Sequence, residues 1–224
     1  MIVEVNDAGE ILVPAELVRA APHTRLKAHR EGDSVVLKPL AEKPRERSHR
    51  LIDSLPILEG RLSDPAMTFR REDIYGPTPG SAVFLDTNIL VYASFPGSPF
   101  YDAARARLSE LERSGVVFWT SRQVLREYLA STTRSGAVVP RPTPDALSQA
   151  VRRFEAEFEI AEEDATVTTL LLDLLKSRTI QGKQIHDANI VATMLRWSIP
   201  SLLTHNTADF TRYVPDINLL PLIS

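Results

Sequence analysis

An α/β domain with a central, mostly parallel sheet flanked by helices is predicted for residues 81–224, behind a small β-rich module at residues 1–40. Three observations point there. From residue 81 onward, short apolar runs alternate with segments of helical periodicity, as strand–helix–strand units require. Residues 1–40 instead read as short strands broken by turns. Between them, residues 41–80 are rich in proline and charge, which sets boundaries near 41 and 81. At 224 residues, 43% of them hydrophobic, the chain can bury one ordinary core and a smaller partner module.

In the first module, strands are expected at 2–5 and 10–13 around the turn Asn6-Asp7-Ala8-Gly9. Pro14 then opens a brief helix at 15–21, since proline suits a first helical position. Strands at 25–30 and 34–40 flank Glu31-Gly32-Asp33. Roughly forty residues bury too little surface to fold alone, so a partner copy is expected: a homodimer or a higher homo-oligomer.

Residues 41–80 carry large apolar anchors at Leu51, Ile52, Leu55, Ile57, Leu58, Leu62, Met67, Phe69, Ile74 and Tyr75. A linker built only for reach has few such residues, so this stretch is expected to wrap a partner surface. In residues 81–224, strands are expected at 82–85, 116–119 and 201–204. Helices are expected at 101–114, 144–158, 161–177 and 186–197, with one more after Ser121, a cap for the turn carrying Val124, Leu125, Tyr128 and Leu129.

Composition excludes several chemistries. With no cysteine, there can be no disulfide, thiolate metal site or cysteine nucleophile, so any metal must be held by oxygen or imidazole. No apolar run reaches the roughly 20 residues needed to cross a bilayer, and Met1-Ile2-Val3-Glu4 does not open a signal sequence, so a cytoplasmic protein without membrane contact is expected. The net charge of −3 gives no global basic signature for nucleic acid, yet an acidic site reversed by bound cations would leave the same tally.

Four acids fall where the pattern places strand ends or helix starts: Asp86 after the first strand, Glu127 one turn into its helix, Asp187 in His186-Asp187-Ala188-Asn189, and Asp209 after the last strand. Taken singly, each has a plainer role as a turn, cap or surface acid. Together they can converge outside the carboxyl ends of a parallel sheet. Converging carboxylates repel one another unless a cation neutralises them. Oxygen donors favour Mg²⁺ or Mn²⁺, completed by water and phosphate oxygens, which implies phosphodiester hydrolysis.

The ordered set Leu85-Asp86-Thr87-Asn88, the helical Glu127, Asp187-Ala188-Asn189-Ile190-Val191-Ala192 and Thr204-His205-Asn206-Thr207-Ala208-Asp209-Phe210 resembles the PIN domains of VapC toxins over essentially all of residues 82–224. This resemblance implies a metal-dependent endoribonuclease with RNA as substrate. Asp86, Glu127, Asp187 and Asp209 would be its catalytic and metal-binding acids, and Thr87, Asn88 and Asn206 would orient water or ligands. The stretch from Gly9 to Arg19, followed by residues 31–39, resembles the swapped-hairpin AbrB/MazE family, whose dimers bind operator DNA; Arg19, Arg25, Lys27 and Arg30 are the candidate phosphate contacts. Phe69-Arg70-Arg71-Glu72-Asp73-Ile74-Tyr75-Gly76-Pro77 looks like the toxin-binding end of AbrB-type VapB antitoxins.

In VapBC pairs that end usually belongs to a separate chain, whereas here it would be covalently attached. Arg70 or Arg71 could then enter the acidic pocket and hold the enzyme latent, since roughly 15 residues to Asp86 reach up to ~50 Å; inhibition in trans within a dimer is equally open. The resulting domain expectation is 1–40 dimerisation and DNA binding, 41–80 antitoxin-like wrapping segment, and 81–224 PIN domain. Three other readings are weaker. A histidine acid/base pair from His186 and His205 needs no metal. A haloacid-dehalogenase-like loop lacks its second Asp, because Asn88 stands there. A non-catalytic DNA-binding regulator with a PIN-like oligomerisation domain has no use for four intact acids.

Overall fold

In the computed structural model, which describes residues 26–31, 34–39, 50–62 and 81–223, the chain divides into two units, residues 1–47 and residues 48–224. The first unit holds an antiparallel hairpin of β1 (Leu26–Glu31) and β2 (Ser34–Pro39), in register from Leu26 opposite Pro39 to Glu31 opposite Ser34. Lys27 and Arg30 lie on β1. The elements expected at 2–5, 10–13 and 15–21, together with Arg19, Arg25, Arg70 and Arg71, fall outside the described residues.

The second unit begins with α1 (Leu51–Ser54) and β3 (Arg61–Leu62). Next come β4 (Ala82–Leu85), α2 (Thr87–Ser94), α3 (Tyr101–Arg113), β5 (Val117–Ser121), α4 (Arg122–Thr133), β6 (Val138–Val139) and α5 (Pro144–Glu157). The chain ends through β7 (Glu159–Ala161), α6 (Ala165–Ser177), α7 (Gln184–Arg196), β8 (Ser201–Thr204), α8 (Thr207–Phe210) and β9 (Asn218–Pro221).

Five strands form one sheet in the order β7-β5-β4-β8-β9, and every pairing is parallel. The mostly parallel sheet expected from sequence is therefore wholly parallel here. Val83, Phe84 and Leu85 are completely buried on the central strand, and all four residues of β8 are buried, as strands covered by helices on both faces must be. From β4 the chain moves outward through β5 to β7, then crosses back to β8 and β9. That reversal puts a switch point between β4 and β8, and the crevice outside their carboxyl ends is where such sheets gather ligands.

Local chemistry sets the helix starts. Ser121 accepts from the Val124 N–H, Thr143 accepts from the Ala146 N–H just ahead of Pro144, and Asp164 accepts from the N–H groups of Thr166 and Val167. The Asp164 cap corrects one expectation: the helix predicted at 161–177 begins at Ala165, and Ala161 belongs to β7. The segment after Asp86, not assigned from sequence, is helix α2. Its apolar face of Ile89, Leu90, Val91 and Ala93 is buried.

Residues 50–60 pack onto the same unit. Leu51, Leu55 and Leu58 enter its core, Ile52 is partly buried against it, and Ile57 is 61% exposed. The helix α1 packs against α3 and α5. Polar contacts pin the backbone: Glu112 accepts from the Leu51 N–H at 2.7 Å, Arg105 donates to the Ile52 carbonyl, and the Ser94 carbonyl accepts from the Leu58 N–H at 2.7 Å. Arg61 and Leu62 then pair antiparallel with Val139 and Val138.

Gly60 makes that pairing possible. Its φ of +138° is closed to side-chain-bearing residues, and a Cβ there would overlap Val138. Gly60→Ala is expected to destabilise the chain by about 3 kcal/mol in urea denaturation. Gly136→Ala, at φ +73° with nothing within 4 Å of the added carbon, should cost about 1 kcal/mol. Equal losses would show that crowding at Gly60 is unimportant.

Candidate functional site

Asp86 ends the central strand and caps α2, so its carboxylate sits at the mouth of the switch-point crevice, only 7% exposed. Three donors hold it. The Thr87 N–H donates to Oδ1 at 2.6 Å, while Asn88 Nδ2 and the Thr204 hydroxyl both donate to Oδ2 at 2.6 Å. Thr204 ends β8, so the parallel pairing of β4 with β8 delivers its hydroxyl. Asn88 is oriented in turn by the His205 N–H, which donates to its Oδ1 at 3.1 Å. Two donors occupy Oδ2, so Oδ1 retains more acceptor capacity.

Glu127 lies one turn into α4, with its two oxygens held by different elements. Gln123 Nε2 donates to Oε1 at 2.6 Å, and the Thr87 hydroxyl donates to Oε2 at 3.0 Å. His186 Nδ1 stands 3.7 Å from Oε1, on a side chain 68% exposed. Asp187 follows it in the first turn of α7, whose start is anchored by Arg212, donating to the Thr179 carbonyl at 3.1 Å and to Gln184 Oε1 at 2.9 Å. Asp209 lies in the short helix α8 after β8. Nearby, the Asn206 N–H donates to the Thr204 hydroxyl at 3.0 Å, while the buried Asn206 Oδ1 has no hydrogen-bond donor among the described residues.

The four carboxylates share one electrostatic neighbourhood. Burial pushes Asp86 up to about 6, partly offset by its donors, and the charge of Glu127 adds to the rise. Asp187, half-buried, is also pushed up to about 6, first by desolvation and then by Asp209, Asp86 and Glu127; His186 opposes the shift. No Lys or Arg among the described residues forms an ion pair with any of the four.

Histidine acid/base chemistry gains nothing from this geometry. The His205 ring packs against Phe100 and Tyr92, with centroids 4.4 and 5.4 Å away, and burial lowers its pKa, whereas His186 is exposed beside Glu127. Sequence reasoning assigned no role to Gln123, Thr204, Asn189 or Glu163. Asn189 and Thr204 stand inside the quoted motifs, and Gln123 precedes Glu127 by four residues, one turn of one helix face.

A family profile described as PIN domain matches residues 83–214. The chain belongs to the PIN domain family. No curated protein matches this PIN-domain chain. Solved structures resembling it include VapBC2 from Rickettsia felis bound to a promoter DNA fragment, with 24% identity, 62% of this chain and 98% of that one covered, and a TM-score of 0.46. VapBC-1 from nontypeable Haemophilus influenzae has 18% identity, coverage of 63% and 98%, and a TM-score of 0.47. VapC20 from Mycobacterium tuberculosis, a sarcin-ricin loop cleaving toxin, has 20% identity, coverage of 54% and 86%, and a TM-score of 0.42. None of the three reaches 25% identity or a TM-score of 0.5, so the assignment rests on the PIN match. Among the described residues, no helix is long and apolar enough to cross a membrane.

The raised pKa values make stability depend on pH. In metal-free protein, folded Asp86 and Asp187 keep protons up to about pH 6 that the unfolded chain releases near 3.8. Their stabilising protonation is therefore complete below about pH 4 and lost as pH rises through 6. For buried Asp86 the loss is on the order of 3 kcal/mol. With EDTA present, Asp86→Asn should make the stability profile between pH 4 and 7 shallower, Asp187 alone supplying the remaining slope. A slope equal to the parent's would contradict it.

Proposed function

We propose that the chain is a metal-dependent endoribonuclease whose acidic site is formed by Asp86, Glu127, Asp187 and Asp209, held latent by its own antitoxin-like segment. PIN family membership supports a nuclease. One observation carries the site: two carboxylates held near pKa 6 by burial and neighbouring charge, without a paired Lys or Arg among the described residues. Such a cluster is stabilised by a cation.

The donor set suits Mg²⁺ or Mn²⁺. It is all oxygen, Asp86 keeps an acceptor position on Oδ1, and the buried Asn206 oxygen has no donor among the described residues. No group of three or more His, Asp or Glu side chains among the described residues forms a ready-made cage for an ion. Mg²⁺ binds through one or two carboxylates and retains water, so it does not require such a cage. Asp86 and Asp187 would hold the ion, with Glu127 and Asp209 completing the site directly or through water. When bound, the ion polarises the phosphate and lowers the pKa of the attacking water. The chain's own groups do the orienting: Thr204 and Asn88 fix Asp86, Thr87 bridges Asp86 and Glu127, and Asn206 offers an acceptor to bound water.

RNA is the proposed substrate. Operator DNA is the proposed partner of the first unit, through Arg19, Arg25, Lys27 and Arg30 in a homodimer or higher homo-oligomer. Arg70 or Arg71 is proposed to occupy the acidic site, since a guanidinium fork pairs with carboxylates where a cation would otherwise sit. The packing of residues 50–60 onto the second unit supports attachment in cis, where a short tether gives a high effective concentration.

A fluorogenic RNA assay with Mn²⁺ tests the catalytic role. Asp86→Asn should reduce cleavage about a hundredfold or more, and equal cleavage by that variant would reject it. For latency, the full chain with Arg70→Ala and Arg71→Ala, which keeps Leu51, Leu55 and Leu58 in the core, should cut about tenfold faster than the parent or more. Equal rates for this variant and the parent would remove the latency claim.

A further inference from the structure

We propose that Gln123 is a positioning residue of the acidic site, its side-chain amide fixing Glu127 relative to the end of α7 that carries Asp187. This inference rests on the metal-site reading above. Gln123 is 6% exposed and uses its amide fully. Nε2 donates to Glu127 Oε1 at 2.6 Å and to the His186 carbonyl at 3.0 Å, while Oε1 accepts from Asn189 Nδ2 at 2.7 Å.

These partners allow one orientation. Flipping the amide would set its oxygen against a carboxylate and a carbonyl, and its NH₂ against the NH₂ of Asn189. Glu127 is four residues along the same helix, but His186 and Asn189 belong to α7, so the amide joins two elements far apart in sequence. His186 directly precedes Asp187. Holding its carbonyl therefore holds the backbone from which Asp187 projects.

Asn189 is fixed by its other neighbour, since its Nδ2 also reaches Glu163 Oε2 at 3.2 Å. Glu163 Oε1 accepts from the Gln123 N–H at 3.1 Å and from Arg126 Nη2 at 3.2 Å. The network thus runs from an exposed arginine to the face of Glu127. An apolar side chain of the same length would preserve packing yet free Glu127 Oε1 and the His186 carbonyl from their common donor.

The test is Mn²⁺ affinity, by isothermal titration calorimetry, of the full chain carrying Arg70→Ala and Arg71→Ala, in which neither guanidinium competes for the site; this double variant is the parent here, and melting temperatures are measured alongside. Gln123→Met should weaken Mn²⁺ binding about tenfold, and Asn189→Leu, which releases the amide without removing it, about threefold. Leu111→Ala, a core change on α3, should lower the melting temperature and leave the affinity unchanged, which separates positioning from general loosening. Affinities within about twofold of the parent for both network variants would overturn the positioning role while the metal reading stands. If Gln123→Met does not fold, Asn189→Leu decides alone. No Mn²⁺ binding by the Arg70→Ala, Arg71→Ala parent would overturn the metal reading and this inference with it.

Discussion

Burying the carboxylate of Asp86 at the end of the central strand is the constraint around which the PIN-domain site is arranged. A buried acid is costly unless donors or a cation compensate it. Here three donors lower its pKa, yet burial outweighs them and the group still sits near 6. The donors come from both sides of the sheet's switch point: Thr87 and Asn88 from the turn into α2, Thr204 from β8. Slipping β8 by one residue would turn Thr204 away, so strand register and site chemistry are one requirement.

The same economy extends outward from Asp86. Thr87 gives its N–H to Asp86 and its hydroxyl to Glu127, so one residue serves two acids. Gln123 takes up the other oxygen of Glu127 and ties it to α7. Thr87 thus stands between Asp86 and Glu127, while Asp187 still feels the charges of Asp209, Asp86 and Glu127. Arg212, just after α8, steadies the start of the helix bearing Asp187 through the Thr179 carbonyl and the Gln184 side chain.

How much of this was legible in the sequence depended on the range of the signal. The run from Ala82 to Leu85 announced a strand buried on both faces, and Ser121 announced a helix start, because both signals are local. The three-residue strand at Glu159 and the four-residue strand at Asn218 passed unassigned, being too short to show a period. Ala161 was absorbed into the following helical pattern, although Asp164 carries the cap that excludes it. The acids stood out because charge at a strand end is conspicuous. Gln123 and Thr204 did not, because their importance lies in contacts to residues 63 and 118 positions away.

The segment at residues 50–60 is more than a tether. A linker needs only reach, but Leu51, Leu55 and Leu58 are buried in the core, and Arg105 and Glu112 engage the backbone at Ile52 and Leu51. Exposing those three leucines together would forfeit about 2 kcal/mol for each. Ile57, in the same stretch, points outward at 61% exposure, so the apolar residues here are not interchangeable anchors. Residues 50–60 are thus bound into the structural core of the PIN-domain unit. Detaching the whole segment would uncover that core, whereas a change confined to the chain beyond Leu62 would leave it intact.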